Sequence, residues 1–226
     1  MTGKFLRRFV LSVLLLGLLL PPHPCIAHTE GAKEKMVALT FDDGPHPGHT
    51  DAVLDILEKA GVKATFFVIG KNVELYPAPM ERAYALGHEI ENHSFDHKTK
   101  GKTPESLKES IAHTSALIEE KIGYRPKFFR PPGGFATESV KTATGDLGLR
   151  QVFWTIDSED WTGKSAGSII RDILREANDS EVILFHDYMC PGHQMLYALP
   201  EVILGLQEKG YRFVTISEYF SYVDKK

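Results

Sequence analysis

Cysteine is nearly missing from this chain: Cys25 and Cys190 are the only two among 226 residues. Cys25 falls in a segment expected to be removed, which leaves Cys190 alone and excludes an intramolecular disulfide. Cys190 then reads as a buried thiol or, so near His186, as a reactive one. An excess of either charge is missing too. The chain carries 26 basic and 30 acidic residues, a net charge of −4, and no basic stripe. Nucleic acid is therefore not an expected partner, while a neutral polymer is compatible. Internal repeats, low-complexity tracts and any sign of a second domain are also lacking. The one long apolar run, Phe9 to Leu20, is shorter than the roughly 20 residues that span a bilayer.

That run belongs to a distinct N-terminal segment. Lys4, Arg7 and Arg8 precede it, Pro21, Pro22 and Pro24 break it, and Cys25-Ile26-Ala27 puts small residues at −3 and −1. Residues 1–27 read as a secretory signal peptide, with an uncleaved anchor as the alternative. A lipoprotein signal through Cys25 fits poorly, because Pro22, His23 and Pro24 stand where small apolar residues belong. Residues 28–35 read as a polar linker, and residues 36–223 as one catalytic domain.

At 42% hydrophobic, the chain can bury one sizeable core. Short runs rich in Val, Ile and Phe predict strands over 36–41, 64–69, 88–92, 127–130, 151–155, 181–186 and 212–216. Amphipathic stretches alternate with them. Thr50 is a candidate cap for a helix that stops at Gly61, and Thr103-Pro104 opens another that ends at Gly123. Residues 77–86, 137–147, 166–177 and 195–209 complete the helical set. Strands alternating with helices predict a parallel α/β fold, either an open sheet or a (β/α) barrel. In both, chemistry sits at the carboxyl ends of the strands.

The chemically loaded residues fall at those ends. The run 36–41 stops at Asp42-Asp43-Gly44-Pro45. Adjacent acids at a buried strand end are costly unless something offsets the charge, and a cation is the simplest offset. The plain alternative is a turn capped by an Asp. After 88–92 come His93 and His97, four apart, which a helical turn would bring to one face to chelate an ion. Two imidazoles and a carboxylate leave coordination positions open, as a catalytic metal requires. Zinc fits, as do iron, cobalt and nickel. Arg130 follows Phe128-Phe129 and precedes Pro131-Pro132-Gly133-Gly134, a loop able to aim the guanidinium at a carboxylate. Trp154 and Trp161, the whole supply of tryptophan, flank an acidic loop from Asp157 to Asp160, as in a wall for stacking sugars. The run 181–186 ends at His186-Asp187.

Taken together, Thr40-Phe41-Asp42-Asp43-Gly44-Pro45, His93-Ser94-x-x-His97, Arg130-Pro131-Pro132, Asp157-x-x-x-Trp161 and Leu184-x-His186 resemble the five ordered motifs of the polysaccharide deacetylases. This is the NodB-homology group of carbohydrate esterases, its family four. The resemblance spans about residues 36–220. It implies a single-domain, distorted (β/α) barrel of about seven parallel strands, and metal-assisted removal of acetyl groups from a sugar polymer. It implies Asp43, His93 and His97 as metal ligands, Asp42 as base, Arg130 as the residue holding that base, His186 as acid and Asp157 as the carboxylate tuning it. Pro131, Pro132, Gly133, Trp161 and Leu184 would line the substrate groove. Many members carry an aromatic residue where this chain has Gly133. A glycine keeps the backbone N–H that helps form the oxyanion hole, but removes one wall of the groove and loosens the loop.

The expected activity is N-deacetylation of N-acetylglucosamine polymers, peptidoglycan first and chitin-type oligomers next, with one divalent ion, zinc foremost. The expected partner is acetylated polysaccharide. A monomer without a transmembrane helix in the mature chain, exported to the periplasm or cell wall, completes the expectation. The competing readings are an O-acetyl xylan esterase on the same fold, a non-haem iron oxygenase, since two His and a carboxylate also form a facial triad, and an inactive glycan-binding module.

Overall fold

The computed structural model describes residues 35–188 and 193–225. The proposed signal peptide, nearly all of the linker, Cys25 and Cys190 lie outside them. Among the described residues no helix is long and apolar enough to cross a membrane.

Among the described residues, eight strands form one sheet: β1 (Lys35–Asp42), β2 (Thr65–Val68), β3 (Glu89–Asn92), β4 (Phe128–Phe129), β5 (Arg150–Gln151), β6 (Ile156–Asp157), β7 (Ser180–His186) and β8 (Tyr211–Phe213). All pairings are parallel, in the order β5-β4-β3-β2-β1-β7-β6. The predicted strand 151–155 is thus two strands on opposite edges. Val152 N–H still donates to the carbonyl of Phe129 on one edge, and Thr155 N–H to that of Val182 on the other. The stretch 150–157 crosses between edges and curls the sheet into a distorted barrel. With that interrupted stretch counted once, the barrel has seven staves. β8 pairs with the start of β1, and β2 with its end.

Eight helices among the described residues accompany the strands: α1 (His49–Ala60), α2 (Gly70–Leu75), α3 (Pro77–Ala85), α4 (Pro104–Ile122), α5 (Glu138–Asp146), α6 (Ala166–Glu176), α7 (Gln194–Glu208) and α8 (Ile216–Val223). Thr103 caps α4 by accepting from Ser106 N–H, and Gly123 ends it with φ 68°. Thr50 does not cap α1; Gly48 holds that position. Thr50 lies one residue inside the helix, where its hydroxyl donates to Asp187 Oδ2 at 2.5 Å. The predicted strand 212–216 is shorter, because Thr215 and Glu218 form a capping box that starts α8.

β1 explains why the site lies where it does. Both its faces are buried, so it reads as a continuous apolar run. Side chains still alternate. Val37, Leu39 and Phe41 join a cluster with Val53, Leu54 and Leu57 of α1 and with α7. Met36 and Ala38 join a smaller cluster with Phe67, Phe128 and Val182. Thr40 and Asp42 continue the second parity. On β7 that parity gives Val182, Leu184 and His186, and Asp42 pairs in register with His186. Two ionisable side chains therefore emerge together on one face at the carboxyl end of the barrel.

Candidate active site

Asp42 is 3% exposed and its Oδ1 accepts from Arg130 Nη1 at 2.8 Å. The same Nη1 donates to Thr40 Oγ1 at 2.8 Å. The guanidinium also lies 4.1 Å from the centre of the Phe67 ring. Arg130 is 0% exposed, so burial works against its charge while Asp42 supports it. This is the placement expected of a residue that fixes the Asp42 carboxylate.

Asp43 points elsewhere because its backbone is left-handed, φ 79°. A non-glycine residue in that region is strained and tends to mark a functional turn. Its carbonyl is held by Asn72 Nδ2 at 2.7 Å. Its Oδ1 lies 3.5 Å from His93 Nε2 and 3.2 Å from His97 Nε2. His93 Nδ1 contacts the Arg130 carbonyl at 2.8 Å. A carbonyl only accepts, so Nδ1 carries the hydrogen and Nε2 presents its lone pair toward Asp43. Burial lowers the His93 pKa, against the pull of Asp42 and Asp43, and favours the neutral ring a metal needs. The two histidines do not sit on a helical turn, contrary to the spacing argument. The 93–97 segment is a loop in which Ser94 (φ 68°) and His97 (φ 57°) curl the chain back.

One ligand atom from each of Asp43, His93 and His97 lies within 4.8 Å of the others. Asp43 Oδ1 is a buried oxygen without a hydrogen-bond partner. Such an atom is costly unless something else binds it. Two neutral nitrogens and a carboxylate oxygen suit a single divalent ion.

On the opposite side, His186 Nδ1 contacts Asp160 Oδ1 at 2.7 Å, and Asp160 Oδ2 accepts from His186 N–H at 2.8 Å. Burial opposes the imidazolium, but the Asp160 hydrogen bond and charge, with help from Asp42 and Asp43, raise its pKa to about 9. The expectation that Asp157 tunes His186 is corrected here. Asp157 Oδ1 instead accepts from Glu159 N–H at 2.8 Å, closing the turn that swings Asp160 inward. Asp160 is 1% exposed, an interior carboxylate in a loop of acids. The sequence signal was the acidic loop itself; choosing among its members needed the turn.

Asp42, Asp43, His93, His97 and His186 line a cavity of about 500 Å³ with Gly133, Phe135, Trp154, Asp157, Trp161, Leu184 and Tyr188. Gly133, Trp161 and Leu184 lie on this cavity. Pro131 and Pro132 do not reach it: both are buried, and Pro132 borders a neighbouring cavity. The wall expected to be missing at Gly133 is also present. Gly133 has φ 65°, and a Cβ there would meet the Phe135 ring at 2.7 Å. Phe135 occupies the space an aromatic residue at 133 would have taken. Asp187 was likewise missed. Its buried carboxylate accepts from Gly44 N–H at 3.0 Å and from Thr50, which locks the turn after Asp43.

A family model described as polysaccharide deacetylase matches residues 29–152. The chain belongs to the polysaccharide deacetylase family. A peptidoglycan-N-acetylglucosamine deacetylase of Bacillus cereus is 35% identical over 192 residues, 84% of this chain and 90% of that one. The peptidoglycan-N-acetylmuramic acid deacetylase PdaC of Bacillus subtilis is 35% identical over 204 residues, and the match covers 88% of this chain but 42% of that longer protein. Its solved structure superposes with a TM-score of 0.78 at 33% identity, covering 85% of this chain and 93% of the solved one. A family 4 acetyl xylan esterase from Clostridium thermocellum, solved with a cobalt ion, gives a TM-score of 0.77 at 37% identity, covering 83% and 91%. The seven-stave barrel fold is thus shared with these relatives.

Proposed function

We propose that this deacetylase is an exported, metal-dependent enzyme that removes N-acetyl groups from N-acetylglucosamine-containing polysaccharide, with peptidoglycan the first substrate and chitin-type oligomers next. The observation that carries the reading is the division of labour around the cavity. Asp42 is held by Arg130 on one side, His186 is paired with Asp160 on the other, and a three-ligand pocket lies between the neighbouring loops. Asp43, His93 and His97 would hold a divalent ion, which would supply a Lewis acid able to polarise the acetyl carbonyl and acidify water. Zinc is the first choice, and the cobalt in the acetyl xylan esterase structure keeps cobalt open.

The remaining work falls to the chain. Asp42 takes a proton from the attacking water as its oxygen bonds to the acetyl carbon. The N–H of Gly133, on the cavity wall, donates to the developing oxyanion. His186, charged at neutral pH, gives its Nε2 proton to the nitrogen as the C–N bond breaks, releasing acetate and a free amine. Arg130 and Asp160 position these two groups without touching substrate. Phe135 and Trp161, 60% and 57% exposed on the same cavity, offer faces for sugar rings.

An O-acetyl esterase activity is the second reading, favoured by the acetyl xylan esterase among the relatives. Acetate release by metal-reconstituted protein from peptidoglycan, chitooligosaccharides and acetylxylan, side by side, tests both. The N-deacetylase reading expects release from the first two, lost on chelation and in His186→Ala. An alkoxide leaves with less acid assistance than an amine, so release from acetylxylan alone, retained in His186→Ala, would favour the esterase. Export is tested by sequencing the mature N-terminus, expected at His28.

A further inference from the structure

A second cavity, of about 350 Å³, adjoins the first and shares His97, Gly133 and Phe135 with it. Its far wall is the loop His97-Lys98-Thr99-Lys100-Gly101-Lys102, which puts three lysines in five positions on a chain whose net charge is −4. Among the described residues, no carboxylate lines it. The loop is anchored. Thr99 is 4% exposed, its carbonyl accepts from Lys102 N–H at 3.3 Å, and Gly101 turns with φ 78°. Lys102 Nζ is spoken for by Asp96 Oδ1 at 2.8 Å. Lys98 and Lys100 are exposed on either side of the buried Thr99 and form no ion pair among the described residues.

We propose that this lysine-lined cavity is a subsite for a carboxylate carried by the substrate polymer, beside the sugar whose acetyl group enters the active cavity. Phe135 lies on both cavities, so a polymer passing over its ring reaches from one to the other. Two uncompensated ammonium groups beside a cavity free of acids raise the local concentration of an anionic chain. A neutral chain gains nothing there. The subsite rests on the deacetylase reading and narrows it: glycan bearing acidic substituents, as in peptidoglycan with its lactyl and peptide carboxylates, is preferred over chitin-type oligomers.

The test uses a soluble peptidoglycan fragment, the same fragment with its carboxylates converted to methylamides, and a chitooligosaccharide of equal length. With metal-loaded wild-type protein at low salt, KM for the acidic fragment is expected to be on the order of fivefold below that for the amidated one, with kcat alike. The gap should close at about 0.5 M salt, where screening shortens to a few ångströms, and in K98Q/K100Q. The amidated fragment reports any damage the variant does to the neighbouring metal site. Kd values of the three ligands on D42N, which need no turnover, repeat the comparison. Equal KM and Kd for acidic and amidated fragments, or a gap that survives in K98Q/K100Q, would overturn the subsite. If none of the three releases acetate, the deacetylase reading falls, while the Kd values still decide the subsite.

Discussion

At the scale of single residues, the site depends on which acid reaches which base. His186 must be protonated to act as an acid, so turnover falls as pH rises through its pKa, near 9 in this environment. Asp160 is the chief upward influence, and burial pulls the other way. Asp160→Asn therefore moves the alkaline limb of the pH–kcat profile toward lower pH, by about 1–3 pH units, the effect of losing one close opposite charge. Asp157→Asn leaves the limb in place. A limb that moves with Asp157 and not with Asp160 would reverse the correction made from the geometry. The family pattern pointed to the first acid of the loop, Asp157; the hydrogen bond belongs to the last, Asp160.

At the scale of elements, β3 shows how a strand is fixed to its neighbour by one side chain. Glu91, fully buried, accepts from Tyr124 Oη at 2.5 Å and from the N–H groups of Lys127 and Phe128 at 2.9 and 2.8 Å, which seats the start of β4. Burial, then the charge of Glu89, raises its pKa to about 8, against those three donors. The native state therefore holds this proton more tightly than the unfolded chain. Its contribution is full below pH 4.5 and is lost as pH rises toward 8. Urea unfolding across that range should show a decline in wild type that is shallower in Glu91→Gln, which removes the charge and keeps an acceptor. Glu91→Ala strands buried N–H groups and should cost about 1–3 kcal/mol at all pH values. Among the strands, β1, β2 and β7 were legible because their apolar runs are buried. The crossing at 150–157 was not, because it looks extended throughout while its hydrogen-bond partners change edge.

At the scale of the whole molecule, the candidate metal site built from the turn after β1 and the loop after β3 would tie separate parts of the chain together. Ligand binding to the native state alone raises stability, by about 2.7 kcal/mol at a hundred times Kd. For a domain of this size that corresponds to a Tm rise of roughly 5–10 °C. Addition of a divalent ion to metal-free protein should produce such a shift in thermal unfolding. Asp43→Asn should lose most of it. Asp42→Asn should keep it while kcat drops by roughly 10²–10⁴. Equal loss of the shift in both variants would overturn the separation of ligand from base. The adjacent aspartates can differ this way because Asp42 follows the strand parity into the barrel and Asp43 leaves it at φ 79°.

By itself, the sequence determined the parallel α/β class, the order of the motifs, the strand ends at which Asp42, His93, Arg130 and His186 emerge, and the family. These follow from short-range rules: burial makes strands apolar, parity assigns their faces, and polar residues survive where strands stop. Only the tertiary structure decided how the barrel closes, that Asp160 partners His186, that Asp187 locks the turn at Gly44, that Phe135 fills the wall beside Gly133, and that the lysine loop borders the same groove. The physical reason is common to all five. Each depends on a contact made by irregular backbone, much of it in left-handed turns at Asp43, Ser94, His97, Gly133 and Glu159, and such turns redirect side chains in ways that no periodicity along the chain records.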